Sequence, residues 1–147
     1  MTQEHKDLLL KDLCSRLPYN IKCTYYDKCV DEEDEGTITG MQNGTYFVID
    51  GGCIDVENVK PYLIPMSSMS AEQIDELKDL CDMYNPVNDY DDYEDWGTRL
   101  ITKHFMDDEY QFKFNVPLFE FLNKNRLDYC GLIKKGLAID ATGLDIY

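Results

Sequence analysis

Apolar positions along this chain change period twice. Between residues 20 and 65 they alternate as in strands, and on either side they recur at helical spacing. Residues 2–17 predict a helix. Thr2 stands where a cap is needed, and Leu10, Leu13, Cys14 and Leu17 make an apolar stripe that Leu9 widens. Pro18 ends it. Residues 20–30 predict a strand with Ile21, Cys23 and Tyr25 on one face and Lys22, Thr24 and Tyr26 on the other. The run DEEDE at 31–35 reads as a solvated loop, and 36–41 as a strand with Ile38 inward. Asn43-Gly44 predicts a hairpin turn, because both residues tolerate the positive φ that such a turn requires. The second arm, TYFVID at 45–50, is apolar on both faces, so one face is left for the protein's own helices, a partner or a second copy.

Gly51-Gly52 breaks that arm. Residues 54–59 then suit one helical turn capped by Asp55, and the prolines of KPYLIP at 60–65 suit a short strand at an edge. Strands, a helical turn and a closing short strand are the element order of an SH3-like barrel. The expected fold is therefore α+β: an N-terminal helix (1–17), an SH3-like barrel (about 19–65, within a unit 18–66) and a mainly helical extension (67–147), packed as a single unit. In the extension, Ser70 and Gln73 form a capping box for a helix over 70–84 with Ile74, Leu77, Cys81 and Tyr84 on one stripe. Further helices are expected near 90–106, from Pro117 through 118–125, and at 127–136, with a short strand at 110–114.

Charge changes the picture of the middle of the chain. Fourteen basic and 29 acidic residues give a net charge of −15. Residues 31–95 alone hold eighteen acidic and two basic side chains. Such a segment repels phosphate backbones and anionic membranes, so neither nucleic acid nor a membrane is an expected partner. A basic protein partner is favoured, and a sharper version makes the acidic middle a mimic of nucleic acid that blocks a DNA-binding protein. Six cysteines with no CxxC pair, and no secretory leader or membrane-length apolar run, point to reduced, mostly core cysteines in a cytoplasm.

Candidate chemistry is sparse. Asp31, Glu33, Glu35 and Gly36 imitate the start of a calcium loop, but Gln42 stands where its bidentate Glu belongs. Asp89, Asp91, Asp92, Glu94 and Asp95 form an acidic run whose neighbours point apart. Cys130 could pair with His104 in a small Cys/His enzyme. No GxGxxG, P-loop or GxSxG occurs, so no cofactor and no enzyme activity are expected. Tyr26, Tyr46, Val48 and Tyr62 are the candidate partner-binding residues, as an aromatic groove on the barrel.

Three stretches, EHKDLLLKDLCSRLPY, ENVKPYLIPMSSM and LNKNRLDYCGLIKKGLAID, carry a resemblance. Together they resemble a group of small proteins of Bacteroides and related gut bacteria, often encoded in prophages and other mobile elements. The resemblance leaves 86–115 uncovered. No activity is assigned to that group, so it implies a bacterial or phage cytosol and an accessory role rather than a chemistry.

Overall fold

The computed structural model describes residues 1–82 and 116–147. Helix α1 (Gln3–Arg16) starts where the Thr2 hydroxyl accepts the His5 N–H at 3.2 Å. Its buried face is Leu9, Asp12, Leu13 and Arg16. The expected stripe is thus rotated: Leu10, Cys14 and Leu17 are only half-buried. Two charged residues take core positions because they neutralise each other, as shown below.

A six-stranded sheet follows, ordered β4-β3-β2-β1-β5-β6. Its strands are β1 (Ile21–Asp27), β2 (Glu32–Gln42), β3 (Tyr46–Ile49), β4 (Gly52–Asp55), β5 (Val59–Leu63) and β6 (Ile139–Asp140). All pairs are antiparallel except β5 with β6. The sheet is open, with β4 and β6 at its edges, so the closed barrel expected over residues 19–65 is not formed. What stands is a mixed α+β fold with an N-terminal helix, this sheet and later helices.

Turn chemistry explains the hairpins. Asn43 (φ 54°) and Gly44 (φ 72°) make the expected β2–β3 turn. Asp50 (φ 47°) and Gly51 (φ 90°) make a second turn of the same kind, which leaves Gly52 to start β4. Asp55 caps a single 3-10 turn, Val56–Asn58, by accepting the Glu57 N–H at 3.2 Å. Residues 32–35, read as loop from their charge, belong to β2: they pair in register with Thr24 to Asp27 of β1. Pairing with β1 satisfies the backbone groups on that side and leaves those of the other edge to solvent, while every one of these side chains stays exposed.

β2 bends at Gly36. A Cβ there would lie 2.5 Å from Ile49 Cγ2 and 2.4 Å from Asp50 Oδ2, so only glycine admits the end of β3. A register shift between Ile38 and Gly40 adds to the curl. β5 is not an edge: β1 lies on one side and β6 on the other, with β6 joining at Tyr62, just past Pro61. The curled inner face carries Ile21, Cys23, Ile38, Phe47, Ile49, Ile54 and Val59, closed by Leu9 and Leu13 of α1 and by Leu132 and Leu137.

Beyond the sheet come α2 (Ala71–Asp82) and α3 (Val116–Lys124). The Ser70–Gln73 capping box forms as expected, with Ser70 N–H to Gln73 Oε1 at 2.9 Å and Gln73 N–H to Ser70 Oγ at 3.2 Å. A second core joins Leu77, Leu118, Phe121, Leu122 and Leu127. The helix expected at 127–136 is replaced by turns. The Asp128 carboxylate accepts the Leu132 and Ile133 N–H groups at 2.8 and 2.9 Å, but Gly131 (φ 66°) turns left-handed and prevents propagation. Residues 137–147 supply β6 at Ile139–Asp140. Among the described residues, 67–147 is thus less helical than expected. The helix expected near 90–106, the strand at 110–114, the acidic run 89–95 and His104 lie outside the described residues.

Candidate functional site

Two regions gather polar side chains: a ribbon formed by β1 and β2, and a buried cluster between α1, α3 and residues 128–130. On the ribbon, Glu33 lies opposite Tyr26 and Glu35 opposite Thr24, so both project from the outer face. Glu32 and Asp34 lie opposite Asp27 and Tyr25 and project from the inner side. Asp50 stands beside them, against Gly36. The ribbon is therefore acidic on both faces. Burial, then Asp34, Asp50 and Asp27, push the Tyr25 phenol above its ordinary value, as expected of a locally negative field.

Residues 32–36 pair with β1 alone, since β3 joins β2 only from Ile38 onward. Their carboxylates line a free strand edge, where like charges discourage pairing with a further strand. Among the described residues, no carboxylate of 31–35 takes part in an ion pair. Phenols engage two of them. Tyr26 donates its hydroxyl to Asp31, and Tyr62 donates to Glu35 at 2.6 Å. The calcium-loop candidates Asp31 and Glu35 are thus each turned toward a tyrosine. That hydrogen bond, and then burial, raise the Tyr62 phenol to about 12. No three His, Cys, Asp or Glu side chains among the described residues converge as a metal site would require.

The four residues expected to form an aromatic groove are dispersed. Tyr26 pairs with Glu33 and Tyr46 with Gln42, nine positions apart on β2, about 30 Å of strand. Tyr26 and Tyr46 are exposed, Val48 is half-buried, and Tyr62 is 7% exposed. A groove needs them adjacent; the register separates them.

The buried cluster is centred on Asp12 and Arg16. Arg16 Nε meets Asp12 Oδ2 at 2.6 Å, and Nη2 meets Asp12 Oδ1 and the Leu127 carbonyl, each at 2.9 Å. Both side chains are fully buried. The guanidinium lies 4.8 Å from the Tyr129 ring centroid. The Tyr129 hydroxyl donates to Asn123 Oδ1 at 3.0 Å, and Asn123 Nδ2 donates to the Ser15 carbonyl at 3.3 Å. The i, i+4 spacing of Asp12 and Arg16 was the sequence signal for this pair, but nothing in the spacing says that it is buried.

Cys130, the proposed nucleophile, sits beside this cluster. Burial first, then the Asp12 carboxylate, push its thiol up to about 12, so it is protonated at neutral pH. Burial does the same to Cys23. Of the five described cysteines Cys23 alone is buried, Cys14 and Cys130 are half-buried and Cys29 and Cys53 are exposed, so these five are not mostly core. The five described cysteines are free thiols. At pH 8, iodoacetamide is expected to modify Cys29 and Cys53 in the folded protein and to reach Cys23 and Cys130 only after denaturation. Peptide mass mapping reads this directly; rapid labelling of Cys130 in the native state would contradict the assigned environment.

No helix among the described residues is long and apolar enough to cross a membrane. Compared with known proteins, the chain matches no family model, no curated protein and no solved structure.

Proposed function

We propose that this is a non-enzymatic interaction protein whose β1–β2 ribbon presents carboxylates to a basic protein partner, in the cytoplasm of a bacterium or phage-infected cell as an accessory of a mobile element. The observation that carries the reading is the ribbon itself. Glu32, Glu33, Asp34 and Glu35 are exposed on its two faces, and among the described residues none of them is paired with a cation. Unpaired like charges on a projecting strand create a field that attracts a cationic surface at long range and falls with salt. Residues of one face, such as Glu33 and Glu35, stand about 7 Å apart along the strand. Regular spacing of that kind also supports the sharper reading of nucleic-acid mimicry.

The fold class follows the same lines. Three consecutive strands, a short strand, the 3-10 turn Val56–Asn58 and a closing β5 support an SH3-like relationship, here opened rather than closed into a barrel.

The test is a pull-down from bacterial lysate with the wild type and with a ribbon variant, Glu32→Gln/Glu33→Gln/Asp34→Asn/Glu35→Gln. A basic protein retained by the wild type at low salt, released at raised salt and absent from the variant is the expected result. Equal recovery by the variant would remove the ribbon from the reading. Competition by duplex DNA for the retained protein would favour mimicry over a general basic partner.

A further inference from the structure

A second surface is occupied by the chain itself. β1 and β5 pair from Tyr25–Val59 to Cys23–Pro61, and the register continued one step would join Lys22 to Tyr62. The Tyr147 hydroxyl stands there instead. It accepts the Lys22 N–H at 3.2 Å and donates to the Tyr62 carbonyl at 2.9 Å. Its ring lies against the Arg126 guanidinium, 3.8 Å from cation to centroid. Arg126 is held by a left-handed backbone (φ 58°), and its Nε is buried without a hydrogen-bond partner. The seat therefore reads two features of one side chain: a hydroxyl able both to donate and to accept, and an aromatic face.

The segment that delivers Tyr147 is tied at its start, where the Thr142 N–H bonds to Asp140 Oδ1 at 2.8 Å and the Thr142 hydroxyl to Ser68 Oγ at 3.2 Å. Ala141 N–H bonds to the Leu63 carbonyl at 2.8 Å, at the end of β6. Thr142 to Asp145 are then exposed, Leu144 at 49%, in a turn that Gly143 (φ 74°) closes with Leu144 N–H to Ala141 O at 3.0 Å. Lifting the segment requires only that this turn and the Thr142–Ser68 contact open, since the β5–β6 pairs, Tyr62–Ile139 and Leu63–Asp140, precede both.

We propose that Lys22, Tyr62 and Arg126 form a docking site for an extended peptide segment bearing a tyrosine, and that residues 142–147 fill it in cis as a displaceable strap. A short tether gives the strap an effective concentration in the millimolar range, so an incoming tyrosine segment must add contacts of its own to displace it. This site adjoins the acidic ribbon, since Lys22 lies on β1 and the Tyr62 hydroxyl bonds to Glu35, but it uses the Lys22 N–H and the Tyr62 carbonyl and none of the carboxylates on which the other reading rests.

The test uses the full chain carrying Tyr147→Ala, labelled with ¹⁵N, and a soluble peptide of residues 142–147. Titration is expected to return the Lys22 amide resonance to its wild-type position, at peptide concentrations at least tenfold below those that perturb the wild type. Adding Arg126→Ala is expected to abolish the response, and a peptide with phenylalanine in place of the tyrosine is expected to fail. If Tyr147→Ala does not fold, Tyr147→Phe keeps the ring and vacates only the hydrogen bonds, and the tyrosine peptide is expected to displace it. A Lys22 resonance that stays unmoved in the folded variant, or that responds equally to the phenylalanine peptide, overturns the proposal.

Discussion

Replacing Asp12 by alanine is expected to destabilise the protein by about 3–5 kcal/mol, since it leaves a buried guanidinium without its counter-charge. The geometry supports a value in the upper part of what a single substitution does. Both partners are fully buried, the contact is two-pronged at 2.6 and 2.9 Å, and Arg16 Nη1 already lacks a hydrogen-bond partner. The loss should also loosen the packing of α1 against the segment that follows α3, because Arg16 reaches the Leu127 carbonyl and stacks on Tyr129. The double variant Asp12→Leu/Arg16→Met removes both charges and is expected to recover most of the loss, as apolar replacement of a buried pair often does. Urea unfolding of Asp12→Leu, Arg16→Met and the double variant measures the coupling. Single variants near wild-type stability would mean that water reaches the pair.

Phe47→Ala is expected to cost about 3–5 kcal/mol, whereas Tyr46→Ser one residue away is expected to stay within about 0.5 kcal/mol. Phe47 is fully buried, paired between Met41 of β2 and Ile54 of β4 in the main core. Tyr46 is 40% exposed on the opposite face of the same strand. Removing the phenyl ring opens a cavity that the curled sheet fills poorly, because Gly36 and the end of β3 are already in close approach. Denaturant midpoints for the two variants decide the matter. A large cost for Tyr46→Ser would show that its face is covered too, for instance by a second copy of the chain.

That comparison bears on the one strand whose sequence pattern was ambiguous. Within TYFVID, Tyr46 to Ile49 are apolar without a break, yet the structure makes the strand one-sided: Phe47 and Ile49 are buried, Tyr46 is exposed and Val48 half-buried. A period-two pattern cannot announce itself when both faces carry apolar residues. The opposite difficulty arose at 32–35. Four consecutive acidic residues gave no period at all, and their strand exists because β1 is long enough to pair with them.

Short-range features of this protein were legible in its sequence. The Thr2 cap, the Asn43-Gly44 turn, the Asp55 cap and the Ser70–Gln73 box each involve groups within three residues of one another, so residue identity alone specifies the hydrogen bond. The charge of the middle segment was legible for the same reason, being a property of composition. Tertiary structure alone decided the rest. It rotated α1 so that Asp12 and Arg16 lie in the core, joined β6 to β5 across more than seventy residues of chain, and set Tyr147 between Lys22 and Tyr62. It also separated Tyr26 from Tyr46 by strand register. The physical reason is common to all four. Burial and register depend on which distant surfaces meet, and a buried charge or a parallel pairing becomes favourable only once its partner has arrived.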